Sequence, residues 1–254
     1  MIELYHANTS TCSQKVRLCL AEKGLAFVSR HVNLRQNENL SPEYLALNPN
    51  GVVPTLVHDR NVILDSSVIC EYLDEVFPEP RLGPDDPVGR AHMRKWLRFL
   101  EEVPTVAIRA PTFQMALAPF RGVDPQIFRQ RHADVRPLRK HFYRRMGTDG
   151  FSHADIEASL DQLDLTLRRM EEALAKGPWL LKERYSLADI VVTPTIDRMD
   201  DLGLTSMWDG YPRVEDWYGR IKARPSYAAA FYPGSRISAS GVTITPLERH
   251  NRQK

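Results

Sequence analysis

Between residues 78 and 86 the chain reads Pro-Glu-Pro-Arg-Leu-Gly-Pro-Asp-Asp, and the character of the sequence changes across that stretch. Before it, short runs with strand character alternate with helical periods; after it, every legible period is helical. A segment this rich in turn formers and without an apolar period reads as a linker. The expected fold class is therefore α/β plus all-α, an α/β unit over residues 1–78 followed by a helical unit over residues 86–254. At 254 residues the chain is long enough for two modest cores, taking about 150 residues per domain.

In the first unit Ile2 to Tyr5 reads as a short buried strand. Ser13 to Lys23 sets Val16 and Leu20 at helical spacing, flanked by Leu18 and Cys19, with Ser13 as expected N-cap and Gly24 at the C-cap position. Phe27 to Leu34 is a second strand by its β-favouring residues. Ser41-Pro42-Glu43 supplies a cap, an N1 proline and an acidic first turn for a short helix to Leu47. Val53-Pro54-Thr55-Leu56-Val57 and Val62-Ile63-Leu64 flank Asp59-Arg60-Asn61 as a hairpin. A helix from Ser66 to Phe77, stopped by Pro78 and Pro80, completes the order β-α-β-α-β-β-α.

In the second unit Ile156, Leu160, Leu163, Leu167, Met170 and Leu174 alternate spacings of four and three, so one face of a long helix must be buried. Ser186-Leu187-Ala188-Asp189 is a capping box ahead of Ile190-Val191-Val192, with Tyr185 placed as its staple. Pro194 is expected to kink or shift that helix. Tyr211 to Arg224 is a further amphipathic helix, stopped by Pro225.

Lys and Arg number 34 against 32 Asp and Glu, a formal charge of +2, too balanced to mark the whole chain as a binder of nucleic acid or anionic membrane. The basic cluster 129–145 is interrupted by Asp134, Val135, Leu138 and Phe142 and reads as the solvated side of a helix. No run reaches the ~18 apolar residues of a membrane span, and Met1-Ile2-Glu3 does not begin a secretory signal. The cysteines Cys12, Cys19 and Cys70 lack C-x-x-C spacing, which argues against a disulfide framework and structural zinc. A cytoplasmic protein with no metal, no nucleic-acid partner and no membrane partner is the expectation. The tail from Gly234 to Lys254 is Ser-rich, then basic and polar, and suits a wrapped or loosely ordered segment.

Two places carry chemistry. Thr9-Ser10-Thr11-Cys12-Ser13 sits where the first strand hands over to the first helix, so hydroxyls, a thiol and free backbone N–H groups converge on one helix N-terminus, a place that favours an anion. A thiolate there would be stabilised by the dipole and by a hydroxyl donor. The plainer reading of the same residues is a run of caps. Downstream, a cis Val53-Pro54 bond would present a backbone N–H and C=O to a peptide-like ligand. Asp65 can hold an ammonium, while Ser66 and the N–H groups of its helix can hold a carboxylate. Taken together these groups describe the recognition of an α-amino acid end.

The combination resembles the glutathione transferase superfamily over nearly the whole chain. The residues that carry the likeness are Ser10-Thr-Cys-Ser-Gln-Lys-Val-Arg17, Glu22-Lys-Gly-Leu25, Leu47-Asn-Pro-Asn-Gly-Val-Val-Pro54, Asp65-Ser-Ser-Val-Ile-Cys-Glu-Tyr-Leu73, Ser186-Leu-Ala-Asp-Ile190 and Lys222-Ala-Arg-Pro225. The resemblance implies a thioredoxin-like N-terminal domain, an all-helical C-terminal domain, a homodimer, glutathione as cosubstrate and a small-molecule electrophile as second substrate. It implies that Val53, before Pro54, pairs with the cysteinyl backbone of glutathione, that Asp65 and Ser66 hold the γ-glutamyl end, and that Asn39 lies near the glycyl carboxylate. Ser10 matches the serine that hydrogen-bonds the thiolate in theta-like and zeta-like members. Cys12 falls where some bacterial members use cysteine, and Ser13 at a position discussed for β-etherase relatives. The stretches Asp65 to Glu79 and Asp86 to Trp96 look most like the bacterial β-aryl etherases. Substrate choice is expected from the loop His6 to Thr9, the helix near Phe99 to Met115, and the tail. A thiol–disulfide reductase or reductive dehalogenase using Cys12, and a non-catalytic scaffold of the same fold, are the competing readings.

Overall fold

The computed structural model describes residues 1–117, 124–133, 136–146 and 150–247. Strand β1 (Ile2–His6) lies within a four-stranded sheet of order β2-β1-β3-β4, parallel to β2 (Val28–His31) and antiparallel to β3 (Thr55–His58), which pairs in turn with β4 (Asn61–Leu64). Leu4 stands opposite Leu56, and Leu56 opposite Ile63. Asp59 and Arg60 take φ of 47° and 70°, the left-handed pair that a two-residue hairpin turn requires. Helices α1 (Thr11–Glu22), α2 (Pro42–Leu47) and α3 (Ser66–Val76) complete the expected order.

β3 begins at Thr55, two residues after the expected start, and two further boundaries differ from the sequence expectation in ways that bear on the site. β2 stops at His31, and Asn33 turns the chain into a 3-10 turn by accepting the N–H groups of Arg35 and Gln36. α1 begins at Thr11, so its N-cap is Ser10 and not Ser13. Ser13 is unavailable as a cap because its hydroxyl turns back to accept the Ala7 N–H at 3.3 Å.

The helical half begins with α4 (Pro87–Glu102), which continues through α5 (Pro104–Ala107), α6 (Arg109–Thr112) and one π turn over Phe113–Leu117. Pro104 and Pro111 lack the N–H that would keep these pieces one regular helix. Then follow α7 (Pro125–His132), α8 (Lys140–Arg145), α9 (His153–Leu174), α10 (Leu187–Asp201), α11 (Pro212–Lys222) and α12 (Pro225–Ala230). Helix α10 runs through Pro194 without interruption. It is buried along almost its whole length, where packing from every side outweighs one missing hydrogen bond.

The two halves do not build separate cores. One apolar cluster runs from Ile2, Leu4 and Leu56 of the sheet, through Leu97 and Leu167, to Trp217 and Phe231. Helix α1 makes its closest packing with α3, α10 and α12 together. The linker is held as well: Asp74 accepts the N–H groups of Leu82 and Gly83 at 2.8 and 2.9 Å, and Lys23 bridges Asp74 to the Pro80 carbonyl.

The capping box of α10 is the most tightly made turn in this core. Asp189 is fully buried and accepts Leu180 N–H and Trp217 Nε1 at 3.0 Å on one oxygen, and Ser186 N–H and Oγ at 3.0 and 3.1 Å on the other. Burial raises its pKa to about 6 against those four hydrogen bonds. Replacing Ser186 by Ala should lower unfolding free energy by about 1 kcal/mol. Asp189→Ala should cost about 3 kcal/mol, since it orphans the buried Leu180 and Trp217 donors. Urea unfolding of the two variants checks both the order and the size of these losses.

Candidate functional site

The loop Ala7–Ser10 joins the end of β1 to α1. Ser10 Oγ accepts the Ser13 N–H at 3.2 Å, and a hydroxyl that accepts in a cap keeps its own proton to donate elsewhere. Ser10 is partly exposed, so that proton can reach a ligand. Cys12, one turn-position further on, is also partly exposed and lies within electrostatic reach of Lys15 and Arg109. Ser13 is fully buried and committed to Ala7. Of the three candidates from the sequence, the structure leaves Ser10 and Cys12 open and turns Ser13 inward. The N–H groups of Thr11 and Cys12 belong to the first turn, which has no intrahelical acceptors for them, so this end of α1 suits an anion.

The second cluster sits at the start of α3. Asp65 takes φ of 71° and caps the helix, its Oδ1 accepting Ser67 and Val68 N–H at 3.0 and 3.1 Å. It is exposed, while Ser66 is buried at the first helical position. Ser67, also buried, donates to Glu101 Oε1 at 2.5 Å, and Lys15 Nζ reaches both Ser67 and Glu101. Burial favours a neutral Glu101, but the charge of Lys15 and the hydrogen bonds from Lys15 and Ser67 outweigh it and hold the carboxyl below its ordinary value. This lock ties α1, α3 and α4 beneath both clusters. Sequence reasoning missed it because a lysine in a helix reads as solvated. The signal was its position three and four residues before the buried Leu18 and Cys19.

The Val53–Pro54 bond is cis and Val53 is 8% exposed. The preceding Val52 carbonyl is locked by Tyr44 Oη at 2.7 Å and Asn48 Nδ2 at 2.9 Å. Asn39 is 2% exposed and donates from Nδ2 to the Gly51 carbonyl at 2.6 Å. It braces the turn behind Val53 and does not open onto the surface. Gly51 is needed there: its φ is +59°, and a Cβ would lie 2.9 Å from Leu40.

The segments expected to select a substrate divide. His6 is buried behind the loop, bonded to Ser29 Oγ at 2.7 Å and Arg17 Nη1 at 3.2 Å, and burial with Arg17 lowers its pKa to about 4. It is a neutral scaffold residue. Phe99 packs under Arg169, 4.2 Å from its ring centroid, in a groove of about 740 Å³ that contains no residue of the Ser10 loop. Tyr232, just before the tail, reaches the loop, its Oη donating to Asn8 Oδ1 at 2.7 Å, while the tail itself meets α1 and the π turn: Gln14 Nε2 donates to the Ser235 carbonyl and Thr245 N–H to the Met115 carbonyl, both at 2.8 Å. Residues 248–254 of the tail, and Asp134 and Val135 of the basic cluster, lie outside the described residues. Within that cluster Arg136 is not solvated. It is buried against Tyr143, whose hydroxyl it reaches at 2.5 Å, in an aromatic cluster with Phe113, Phe142 and Phe151. Among the described residues no cluster of His, Cys, Asp and Glu could hold a metal, and no helix is long and apolar enough to cross a membrane.

Comparison with known proteins matches residues 9–76 to the glutathione S-transferase N-terminal domain and residues 153–220 to the glutathione S-transferase C-terminal domain. The chain is 30% identical to protein LigF of Sphingobium sp. strain NBRC 103272 / SYK-6 over 252 residues, covering 92% of this chain and 95% of LigF. It is 27% identical to the glutathione S-transferase GstB of Escherichia coli K12 over 228 residues, 89% of this chain and 95% of GstB. The crystal structure of the β-etherase LigF aligns with a TM-score of 0.79, covering 91% of this chain and 98% of that one. A theta-class glutathione S-transferase from the citrus canker pathogen Xanthomonas axonopodis pv. citri, solved with glutathione bound, aligns at 25% identity and a TM-score of 0.67, covering 91% and 97% of the two chains.

Removing the Glu101 carboxylate leaves Lys15 buried and without its counter-charge. Glu101→Gln should therefore cost about 3 kcal/mol at neutral pH. Because the folded pKa of Glu101 is depressed, its contribution is present above the ordinary glutamate value of about 4.3 and is lost as pH falls through the lower folded value. Unfolding free energies measured from neutral pH downward should show a shallower acid decline in Glu101→Gln than in the unmodified protein.

Proposed function

The chain belongs to the glutathione S-transferase family, and we propose that it is a transferase in which Ser10 activates the glutathione thiolate for attack on an electrophilic aromatic substrate, β-aryl ether cleavage being the reaction we favour. The observation that carries this reading is the hydroxyl of Ser10, which caps α1 as an acceptor while its own proton stays free on a partly exposed side chain. Glutathione lies with its thiol at the α1 N-terminus, its cysteinyl backbone on Val53 beside Pro54, and its γ-glutamyl end on Asp65 and Ser66. Asn39 serves from behind by holding the Gly51 turn. The sheet unit, residues 1–78, supplies this site, and the helical unit, residues 86–254, supplies the pocket for the second substrate.

The chemistry follows from the groups present. Ser10 O–H and the first-turn N–H groups stabilise the thiolate over the thiol. The thiolate sulfur forms a bond to the electrophilic carbon, the carbon–oxygen bond of the ether breaks, and the aryloxide leaves with the electron pair. A lower thiol pKa also weakens the sulfur as a nucleophile, so holding the two reactants in line must supply the remainder of the rate. The ether assignment draws on the similarity to LigF along nearly the full length of both chains. We read the protein as a cytoplasmic homodimer. The free cysteines support the compartment, and the exposed apolar Val62, Val68, Val76 and Val88 support a partner surface.

A second reading makes Cys12 the reacting group: its thiolate attacks the sulfur of a glutathione disulfide or glutathionyl thioether, forms the Cys12–glutathione mixed disulfide and expels the other thiolate or carbon group with the electron pair, and a further glutathione thiolate releases Cys12 as oxidised glutathione forms. It is favoured by the partial exposure of Cys12 and the nearby cations Lys15 and Arg109. Two variants separate the readings. Ser10→Ala should raise the pKa of bound glutathione, read from thiolate absorbance against pH, and lower turnover by roughly ten- to hundredfold, while Cys12→Ser leaves both nearly unchanged. The opposite pattern selects the Cys12 chemistry. Absence of glutathione binding in calorimetry overturns both and leaves a ligand-binding or scaffold protein.

A further inference from the structure

The loop that leads into Ser10 has three successive carbonyls, and buried arginines take all three. Arg17 of α1 donates from Nη1 to the Ala7 carbonyl at 3.2 Å and from Nη2 to the Asn8 carbonyl at 2.9 Å. Arg198 of α10 donates from Nη2 to the Thr9 carbonyl at 2.5 Å. Each arginine is 3% exposed. Arg17 is fixed further by the Ala230 carbonyl, 3.0 Å from its Nε, and by the ring of Tyr232. The loop is thus gripped from both halves of the molecule.

We propose that Arg17 and Arg198 form a clamp that orients Ser10 and turns the loop carbonyls away from the bound thiolate, which makes Arg198 a positioning residue for thiolate formation. A trans peptide is planar, so holding the Thr9 carbonyl sets the plane of the Thr9–Ser10 peptide, and with it the Ser10 Cα from which Oγ projects. A carbonyl oxygen is the negative end of its dipole, and one aimed at the thiol would oppose ionisation. Directed into a guanidinium, the three oxygens leave the positive, N–H side of the loop and helix to face the sulfur.

Arg198 is also charge-paired with Asp201, but without a hydrogen bond: its Nε stands 3.5 Å from Asp201 Oδ2 and makes none. Asp201 is already satisfied by Ile237 N–H, Ser238 N–H and Ser238 Oγ, at 2.7, 3.0 and 2.5 Å. Among the described residues the Thr9 carbonyl takes the one hydrogen bond that the Arg198 side chain makes. Burial lowers its pKa to about 10, which still leaves it charged at neutral pH. The carboxylates of Asp201 and Asp197 balance that charge, which leaves the Nη2 donor directed at the Thr9 carbonyl.

The proposal rests on the reading that the glutathione thiol lies at Ser10, and the test separates the two. Arg198→Met, Arg198→Lys and Arg236→Met would be compared with the unmodified protein for glutathione affinity, bound-thiol pKa, kcat, KM and Tm. Arg236 ties the tail to Asp197, Asp200 and Asp201 and lies close to Arg198 without touching the loop carbonyls, so it is the control for losing a charge from this cluster while the Thr9 contact stays in place. Arg198→Met should raise the bound-thiol pKa by about one, a tenfold loss of thiolate near neutrality. It should lower kcat by a similar factor and leave KM for glutathione nearly unchanged. Arg198→Lys, which keeps the charge but not the fork, should fall between the two, and it carries the test if the methionine variant does not fold. Arg236→Met should lower Tm with the bound-thiol pKa unmoved. Arg198 variants that bind glutathione with an unchanged thiol pKa overturn the clamp, whatever their Tm. An unmodified protein that binds glutathione without forming thiolate overturns the reading of the site, and the clamp falls with it.

Discussion

Helix α1 is buried along Ser13 to Leu20 although it carries Lys15, Arg17 and Glu22, with Lys23 at its C-cap, and the rest of the structure depends on how those charges are matched. Each one fixes a different part of the molecule. Lys15 meets Glu101 and Ser67 and so ties α3 to α4. Arg17 holds the loop before Ser10 and the end of α12. Glu22 takes a two-pronged contact from Arg224, at 2.6 and 2.7 Å, and a hydroxyl from Ser226. Lys23 holds Asp74 and the linker carbonyl of Pro80.

Such pairs add little net stability over apolar residues of the same shape, because desolvating both ions offsets most of their attraction. What they fix is geometry. An apolar α1 could rotate or slide by a few tenths of an ångström against its neighbours at small cost. With four charges each matched to a named partner, any shift leaves a buried ion unpaired. On the proposed function the N-terminus of this helix holds the glutathione thiol, which gives rigidity there a chemical value. The same logic applies to the knot of Asp197, Asp200, Asp201 and Arg236, which anchors the segment after α12 against α10. That segment in turn reaches Asn8 and Gln14, so it closes on the loop before Ser10 and on α1.

Much of this was legible residue by residue. The order of elements along the first unit, the helix stops at Gly24, Pro78 and Pro225, and the capping box at Ser186 and Asp189 are local signals with local causes, and each stands where the pattern put it. The misreadings have one cause in common. The pattern makes Ser13 the cap, Arg136 part of a solvated face and His6 a substrate-loop residue, and it is silent on Lys15. Each reading uses the residue's type and its neighbours in sequence. The structure differs through partners elsewhere in the chain or a turn of the backbone: Ala7 for Ser13, Tyr143 and its aromatic neighbours for Arg136, Ser29 and Arg17 for His6, and Glu101 for Lys15.

The sequence by itself determined the elements, their order and the family, because hydrophobic period, caps and turn residues act over a few residues at a time. It also named the residues of the candidate site, since Ser10, Val53, Pro54, Asp65 and Ser66 sit in short motifs. Only the tertiary structure decided which of Ser10, Cys12 and Ser13 stay open, that the two halves share one core, and that arginines from α1 and α10 hold the loop before Ser10. The physical reason is that burial and charge pairing depend on the whole chain. A hydroxyl or a guanidinium finds its partner only when segments nearly two hundred residues apart, Thr9 and Arg198 among them, are brought into contact.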